Sequence, residues 1–441
     1  MRILIIVACV ICSITVSAQQ SWTLRQCIEH GMKNNIQVRQ KLLEKESAEI
    51  QLNTTKKSRL PDLNASANQN IGRSTSRDGL NSFQNTANTD ISLQSTMPIF
   101  TGFRIANQIE ANQFNLKAIL ADLDKAREDI ALYVSSAFLQ VVYNRELYQV
   151  AKDQAKLSKE QMARAEILVN AGKLPQSELY DTRATNARDE SEVTRTNSAL
   201  KLSLVDLAQL LEIEKIEGFD VDSSISDSLL VDGIVNLADV AQTFNYALGN
   251  RPAMKSAEYR IEEGKRNLEI ARSGYYPTVN LGATYSNGYY YSFNLPTGST
   301  NPAFGDQFSQ NGRSVLGLSL NIPIFNRFDT QNKVKLAQID IQVKKLNLET
   351  TRKSMLKDVQ QAYYNAVAAR DKYRSAQKSV EASELAFKFA KEKFDAGKST
   401  SFEFNDSNNR KLKSLSDQVQ AKYDLIFRCK LLDFYNGKSL Y

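Results

Sequence analysis

Two apolar rhythms alternate along this chain, and each occurs twice. The first has a period of seven: Ile109, Leu116, Leu123, Ile130 and Ala137 form one series, and Val334, Ile341, Leu348, Met355 and Ala362 form another. Each series lies in a stretch free of glycine and proline, Phe103 to Ala171 and Asn326 to Ala396. Each stretch therefore predicts one helix on the order of 100 Å long, at about 1.5 Å per residue. Ile119, Ala126 and Tyr133 add a second apolar row to the first stretch, and a seam that wide predicts neighbours on more than one side. Gly172 and Gly397 end the long helices. After each comes a polar turn and a shorter amphipathic run, Ser177 to about Glu212 and Ser401 to about Tyr435, the signal for a helical hairpin. Two further helices of similar length, Thr23 to about Ser58 and Leu237 to about Ser273, are expected before the second rhythm.

The second rhythm has a period of two. Leu63, Ala65, Ala67 and Ile71 alternate with Asn64, Ser66, Asn68 and Asn70, and Ile91, Leu93 and Met97 alternate with Ser92, Gln94 and Thr96. Val279, Leu281, Ala283 and Tyr285, then Leu316, Leu318, Leu320 and Ile322, repeat the pattern further along. One apolar and one polar face per strand, with Tyr275, Tyr276, Phe100, Phe325 and Tyr289 to Tyr291 at the ends, fits a lipid-facing, water-lined barrel. A half-buried soluble hairpin fits the same alternation. Four strands cannot close a barrel alone, so the barrel reading demands oligomerisation. The polar loops inside the two hairpins, about Arg73 to Thr86 and Ser292 to Arg313, suit the outer face of such a barrel.

Both rhythms recur because the chain is duplicated. Met32, Asn34 and Pro61 fall on Leu248, Asn250 and Pro277 at one offset, while Pro98-Ile99-Phe100 and Ala171-Gly172-Lys173 fall on Pro323-Ile324-Phe325 and Ala396-Gly397-Lys398 at another. Each copy must then build the same unit, and all of the extra length of the second copy lies between its two strand candidates. The expected division is a signal peptide (1–18), a first repeat (19–213), a connector (214–236) and a second repeat (237–441). The fold class is mainly α with a small transmembrane β part.

Composition changes the picture in four places. Arg2, the apolar run Ile3 to Cys12 and the Val16-Ser17-Ala18 site predict an exported protein with Gln19 at its mature start. The apolar stretch before Cys9 is short for lipidation. Export leaves only Cys27 and Cys429, too few for a disulfide framework, and they are read as helix-packing thiols. No later segment is apolar enough for a spanning helix, so membrane contact falls to the strands. The net charge of +7 is dispersed along the chain, with no basic block to support nucleic-acid binding.

In this order and double occurrence, several motifs carry a resemblance. They are Asn34-Asn35 and Asn250-Arg251-Pro252, the strand starts Leu60-Pro61-Asp62-Leu63 and Tyr276-Pro277-Thr278-Val279, the junctions Pro98-Ile99-Phe100-Thr101-Gly102 and Pro323-Ile324-Phe325-Asn326, and the two Ala-Gly-Lys turns. Across essentially its whole mature length the chain resembles the TolC-like outer membrane efflux channels. The resemblance implies a homotrimer in the outer membrane lipid, each protomer giving four strands to a shared twelve-stranded barrel that tandem-duplicated coiled helices continue as a periplasmic tunnel. It implies partners too: a periplasmic adaptor, which meets the hairpin turns at Gly172, Lys173, Gly397 and Lys398, and an inner membrane transporter.

The family narrows its periplasmic end with acidic side chains after the second turn, and the matching positions are Glu403 and Asp406. Three residues apart, they share a helix face, and three protomers would stack two acidic rings favouring cations. Glu178 and Asp181 hold the same offsets in the first copy. All four also lie near helix starts, where acids stabilise the helix through its dipole. Phe394 and Ser399 stand where the family uses an aromatic hydroxyl and an arginine to lock this end, so a different lock is expected.

Catalytic chemistry finds no foothold. His30 has no second metal-type ligand nearby, and Gly397-Lys398-Ser399 lacks the glycine and the preceding strand of a phosphate-binding loop. No Ser, Cys or carboxylate constellation has a base partner. The chain reads as a conduit without cofactors, part of an efflux or type I secretion system, whose energy comes from a partner. A periplasmic coiled-coil adaptor or scaffold is the alternative. The cargo is not written in the sequence.

Overall fold

The computed structural model of the chain describes residues 21–75, 83–222, 239–295 and 298–440. The expected signal peptide lies outside them, as does most of the connector. The elements run α1 (Leu24–Asn34), α2 (Ile36–Lys57), β1 (Asn64–Thr75), β2 (Phe83–Phe100), α3 (Arg104–Asn170) and α4 (Gln176–Leu210) in the first copy. The second copy follows with α5 (Val240–Asn250), α6 (Pro252–Arg272), β3 (Thr278–Ser292), α7 (Phe304–Gln310), β4 (Arg313–Asn321), α8 (Asp329–Asp395) and α9 (Ser401–Tyr435). Both long helices contain 67 residues and both returning helices 35, as the doubled pattern of the sequence requires.

Two expected helices are each divided in two. The run from Thr23 breaks at Asn35, whose extended backbone (ψ 136°) ends α1. The Asn35 side chain then accepts from the Gln37 N–H at 2.9 Å and donates to the Leu210 carbonyl at 3.0 Å, so it caps α2 and fixes α2 to the end of α4. In the second copy the break falls at Arg251, where Pro252 at the first helical position of α6 disfavours a helical residue before it. Arg251 is buried, pairs with Glu128 at 3.0 Å and lies 3.7 Å over the Phe434 ring. Burial pushes the Glu128 carboxyl above its usual range, against the pull of Arg251.

The described residues fall into two compact units. One draws on residues up to Leu43, on Ala121–Lys255 and on Thr350–Tyr441. Its core gathers both copies: Ile28, Val134, Phe138, Leu207, Leu211 and Leu425 are almost wholly buried in one cluster. Cys27 and Cys429 belong to the same cluster as buried thiols, and burial raises them to about 12 and about 11. They are packing residues there, unfit as nucleophiles. Trp22 bridges to Val221, and Arg145 pairs with Asp220 and donates to the Val221 carbonyl, so the connector is tied to the start of the chain. His30 packs its ring edge-on against Trp22 at 5.1 Å, an ordinary helix contact.

The other unit, Glu44–Leu120 with Ser256–Glu349, holds the sheet. Its helix segments are tied by Arg266–Glu110 at 3.0 Å and Lys344–Glu263 at 3.1 Å. The four strands are antiparallel in the order β1-β2-β3-β4, so the two copies meet along β2 and β3. The register gathers the apolar positions of all four strands on one face, which Gln69, Thr89, Ser95 and Asn287 interrupt: Ala65 pairs with Leu93, Leu93 with Tyr285, Leu281 with Leu318, and Val279 with Leu320. Every residue of β4 is exposed, and residues 64–74 of β1 are equally bare.

Strands pass into long helices through a sharp joint that the motifs only hinted at. Gly102 and Phe103 both take positive φ (60° and 65°), and Arg327 and Phe328 repeat this in the second copy (56° and 64°). A Cβ on Gly102 would stand 2.8 Å from the Ser273 carbonyl oxygen, so only glycine fits there. Phe103 and Phe328 occupy the same strained region and set their rings edge-on to Phe100 and Phe325.

Candidate functional site

The strongest sequence-based candidates are the ends of the two hairpins, α3–α4 and α8–α9, which lie in one unit. Both turns close in the same way. Gly172 takes φ 69°, its N–H reaches the Val169 carbonyl at 2.9 Å, and the Lys173 N–H reaches Leu168 at 2.9 Å. Gly397 takes φ 68°, with matching bonds to Phe394 at 3.0 Å and from Lys398 to Lys393 at 2.8 Å. This pairing satisfies the last carbonyls of each long helix and needs a left-handed residue at the glycine. Lys173 and Lys398 follow as exposed cations at the turn.

The acids beyond the turns are held differently. Thr400 caps α9 by accepting from the Glu403 N–H at 3.2 Å, and the Ser399 hydroxyl donates to the Glu403 carboxylate at 2.6 Å. Asp406, one turn on, pairs with Arg410. In the first hairpin Pro175 precedes α4 without a side-chain cap. Glu178 accepts from the Ser401 hydroxyl of the other hairpin, and Asp181 is exposed on the next turn. Glu178 and Glu403 are both first-turn acids, well placed for the helix dipole. They part in direction: Glu178 is spent on an internal tie, while Glu403 stays exposed.

A second tie between the hairpins was not foreseen. Arg164 of α3 pairs with Asp395 of α8 at 2.5 Å. At the offset that aligns the copies these positions fall on Phe389 and Asn170, and that asymmetry was the available signal. Phe394, at the expected lock position, packs instead on Phe404 at 4.9 Å between centroids, and Phe404 also meets Phe387 at 5.4 Å. Between the two hairpin ends lies a groove of about 680 Å³, lined by Leu157, Arg164, Leu168, Glu178, Phe394 and Ser401 among others. Deeper in, Gln154 donates to Asp189 at 2.8 Å and accepts from Asn408 at 3.0 Å, a buried polar ladder joining α3, α4 and α9.

The described side chains at these ends are therefore an apolar and aromatic underlayer carrying ion pairs and single carboxylates. Such an arrangement can hold helix ends together and present charge to passing ions. It offers no paired acid and base for chemistry.

Comparison with known proteins agrees with this layout. The family model described as outer membrane efflux protein matches residues 28–211 and 244–428, one match per copy. The toxin and drug export protein A of Aggregatibacter actinomycetemcomitans is 20% identical over 406 residues, covering 91% of this chain and 83% of that protein. The outer membrane protein TolC of Vibrio cholerae is 20% identical over 414 residues, covering 93% and 89%. Among solved structures, the Campylobacter jejuni CmeC outer membrane channel superposes with a TM-score of 0.77 at 17% identity, over 94% of this chain and 85% of that one.

Proposed function

The chain belongs to the outer membrane efflux protein family, and we propose that three copies of it form a passive exit duct, fed from an inner membrane transporter through a periplasmic adaptor. One observation carries the trimer: the sheet has four strands and two bare edges, β1 and β4. Open edges of this kind invite pairing. Three protomers joined β4 to β1 make a closed barrel of twelve strands, a size that leaves a water-filled lumen. The common register of the apolar positions supports the same closure, because it would turn a mainly apolar wall to lipid.

The helical stripes support the same assembly. Leu336, Ile339 and Val343 lie along one face of α8 and are each about half exposed or more, at a heptad spacing that suits packing against another helix. In the trimer the hairpin ends would converge, and Glu403 and Asp406 would ring the narrowest point. Gly172, Lys173, Gly397 and Lys398 would meet the adaptor. Arg164–Asp395 and Glu178–Ser401 would hold the hairpins of each protomer together in the closed form. A wide water-filled duct selects little beyond the charge preference of such acidic rings, so the transporter upstream chooses the cargo.

The test is conductance in planar bilayers from purified trimer. Discrete, cation-preferring channels are expected. A folded monomer without channel activity would overturn the reading and favour a periplasmic scaffold.

A further inference from the structure

The second outer loop is more than a polar connection. β3 continues to Ser292, but β4 pairs with it only as far as Ser286. Beyond that point side-chain amides replace the missing strand. Gln307 of α7 accepts from the Tyr290 N–H and donates to the Tyr290 carbonyl, both at 2.9 Å. Asn301 does the same for Ser292, at 2.8 and 2.9 Å, and Asn311 donates to the Gly288 carbonyl at 2.7 Å. Asn287 reaches out from β3 to the Phe308 carbonyl at 2.7 Å and is buried beneath the helix. The loop is thus held along an open strand edge by bonds that ordinarily belong to a sheet.

This clamp displays rings on one side of the sheet. Tyr289 packs against Phe304 at 5.3 Å, Phe304 stacks on Phe308 at 5.5 Å, and Tyr291 meets Phe293 at 5.0 Å. Phe293 is 57% exposed, Phe304 56% and Phe308 39%. Tyr289 and Tyr291 share the face of Val279, Leu281 and Tyr285, because strand residues two apart point the same way. That face is the apolar one in all four strands. The rings therefore continue the lipid-facing wall and do not belong to the water-lined side.

Their height fits as well. The inner end of the apolar band lies at Val279, in register with Phe100. Tyr289 is ten residues on. At about 3.3 Å per residue and a tilt near 40°, ten residues rise about 25 Å, the height of an outer membrane apolar band between its two aromatic girdles. We propose that α7, with Phe304, Phe308, Tyr289, Tyr291 and Phe293, is a membrane-interface element that docks the barrel to the headgroup region of the outer leaflet, and is not a lid over the pore. The proposal rests on the barrel reading above. The first copy has a shorter loop, so this anchor occurs once per protomer.

Single tryptophan reporters in a Trp22→Phe background test it, with the full-length trimer in vesicles of phosphatidylcholine brominated close to the headgroup. Leu318→Trp, within the apolar band, reports insertion of the barrel. Phe308→Trp and Phe304→Trp should be quenched to within about twofold of that control, since interfacial rings sit at headgroup level. Tyr290→Trp, on the opposite face, should be quenched far less. Quenching at Leu318→Trp without quenching at either loop position overturns the placement of α7 alone. Loop reporters shielded from aqueous acrylamide yet blind to the bromines would mean a protein partner covers the rings, which also overturns it. Absence of quenching at every position would overturn the barrel reading itself.

Discussion

At the first hairpin end, Pro175 starts α4 without a side-chain cap and Glu178 is drawn across to Ser401; at the second, Thr400 caps α9, Ser399 holds Glu403 and Arg410 holds Asp406. Yet the two turns have the same glycine φ within a degree and the same hydrogen bonds. Duplication has preserved the backbone of the turn, because any long helix that must reverse in a few residues needs its last carbonyls satisfied. The side chains above it have been free to diverge. One end has become a clasp inside the protomer, and the other keeps the Glu403 carboxylate exposed.

The widest break in that comparison should come from the acids. Replacing Glu403 and Asp406 together by alanine is expected to lower cation selectivity and block by multivalent cations several-fold in single-channel recordings. The matching Glu178→Ala and Asp181→Ala pair should leave selectivity near its starting value. Equal effects from both pairs would erase the division of labour between the ends.

The glycines should instead respond alike. No atom lies within 4 Å of a Cβ built on Gly172 or Gly397, so Gly172→Ala and Gly397→Ala meet only backbone strain. Each should cost about 1–2 kcal/mol of local stability, read as faster amide exchange around the turn. A large difference between the two would show that the shared backbone is not what holds them.

The smallest effect separates the helix starts. Thr400→Ala removes a side-chain cap and should cost about 1 kcal/mol, seen as earlier fraying of α9 by amide exchange. Pro175→Ala removes no such bond and should change the first turn of α4 by no more than a few tenths of a kcal/mol.

Much of this was legible in the apolar rhythm. Asp329–Asp395 and Ser401–Tyr435 fall almost where a period of seven, a lack of glycine and proline, and a terminal glycine put them. Alternation found all four strands, since a buried or lipid-covered face imposes a period of two. What escaped was carried by single residues. The break at Arg251 was signalled by the following proline, but it was overridden by a continuous amphipathic pattern on both sides. The clamp by Gln307 and Asn301 has no periodicity, and those amides looked like ordinary loop residues. The ties from Arg164 to Asp395 and from Glu178 to Ser401 span over two hundred residues of chain, and no local pattern encodes a pair of that kind. Left-handed Arg327 and Phe328 are equally silent, because residues with side chains seldom advertise that conformation.

The pairing of β2 with β3 has a consequence for how the molecule is made. Ala87 stands opposite Tyr291, so about two hundred residues must be threaded between the two halves of the sheet, and closing so long a loop is entropically unfavourable. The helical hairpin of the first copy can form from local contacts, but the sheet cannot begin its central seam until the second copy has emerged. Pairings of such range form late and leave strands unprotected in the meantime. A newly exported chain would therefore pass through the periplasm with its helices built and its membrane part still waiting, and insertion would be the final step of its assembly.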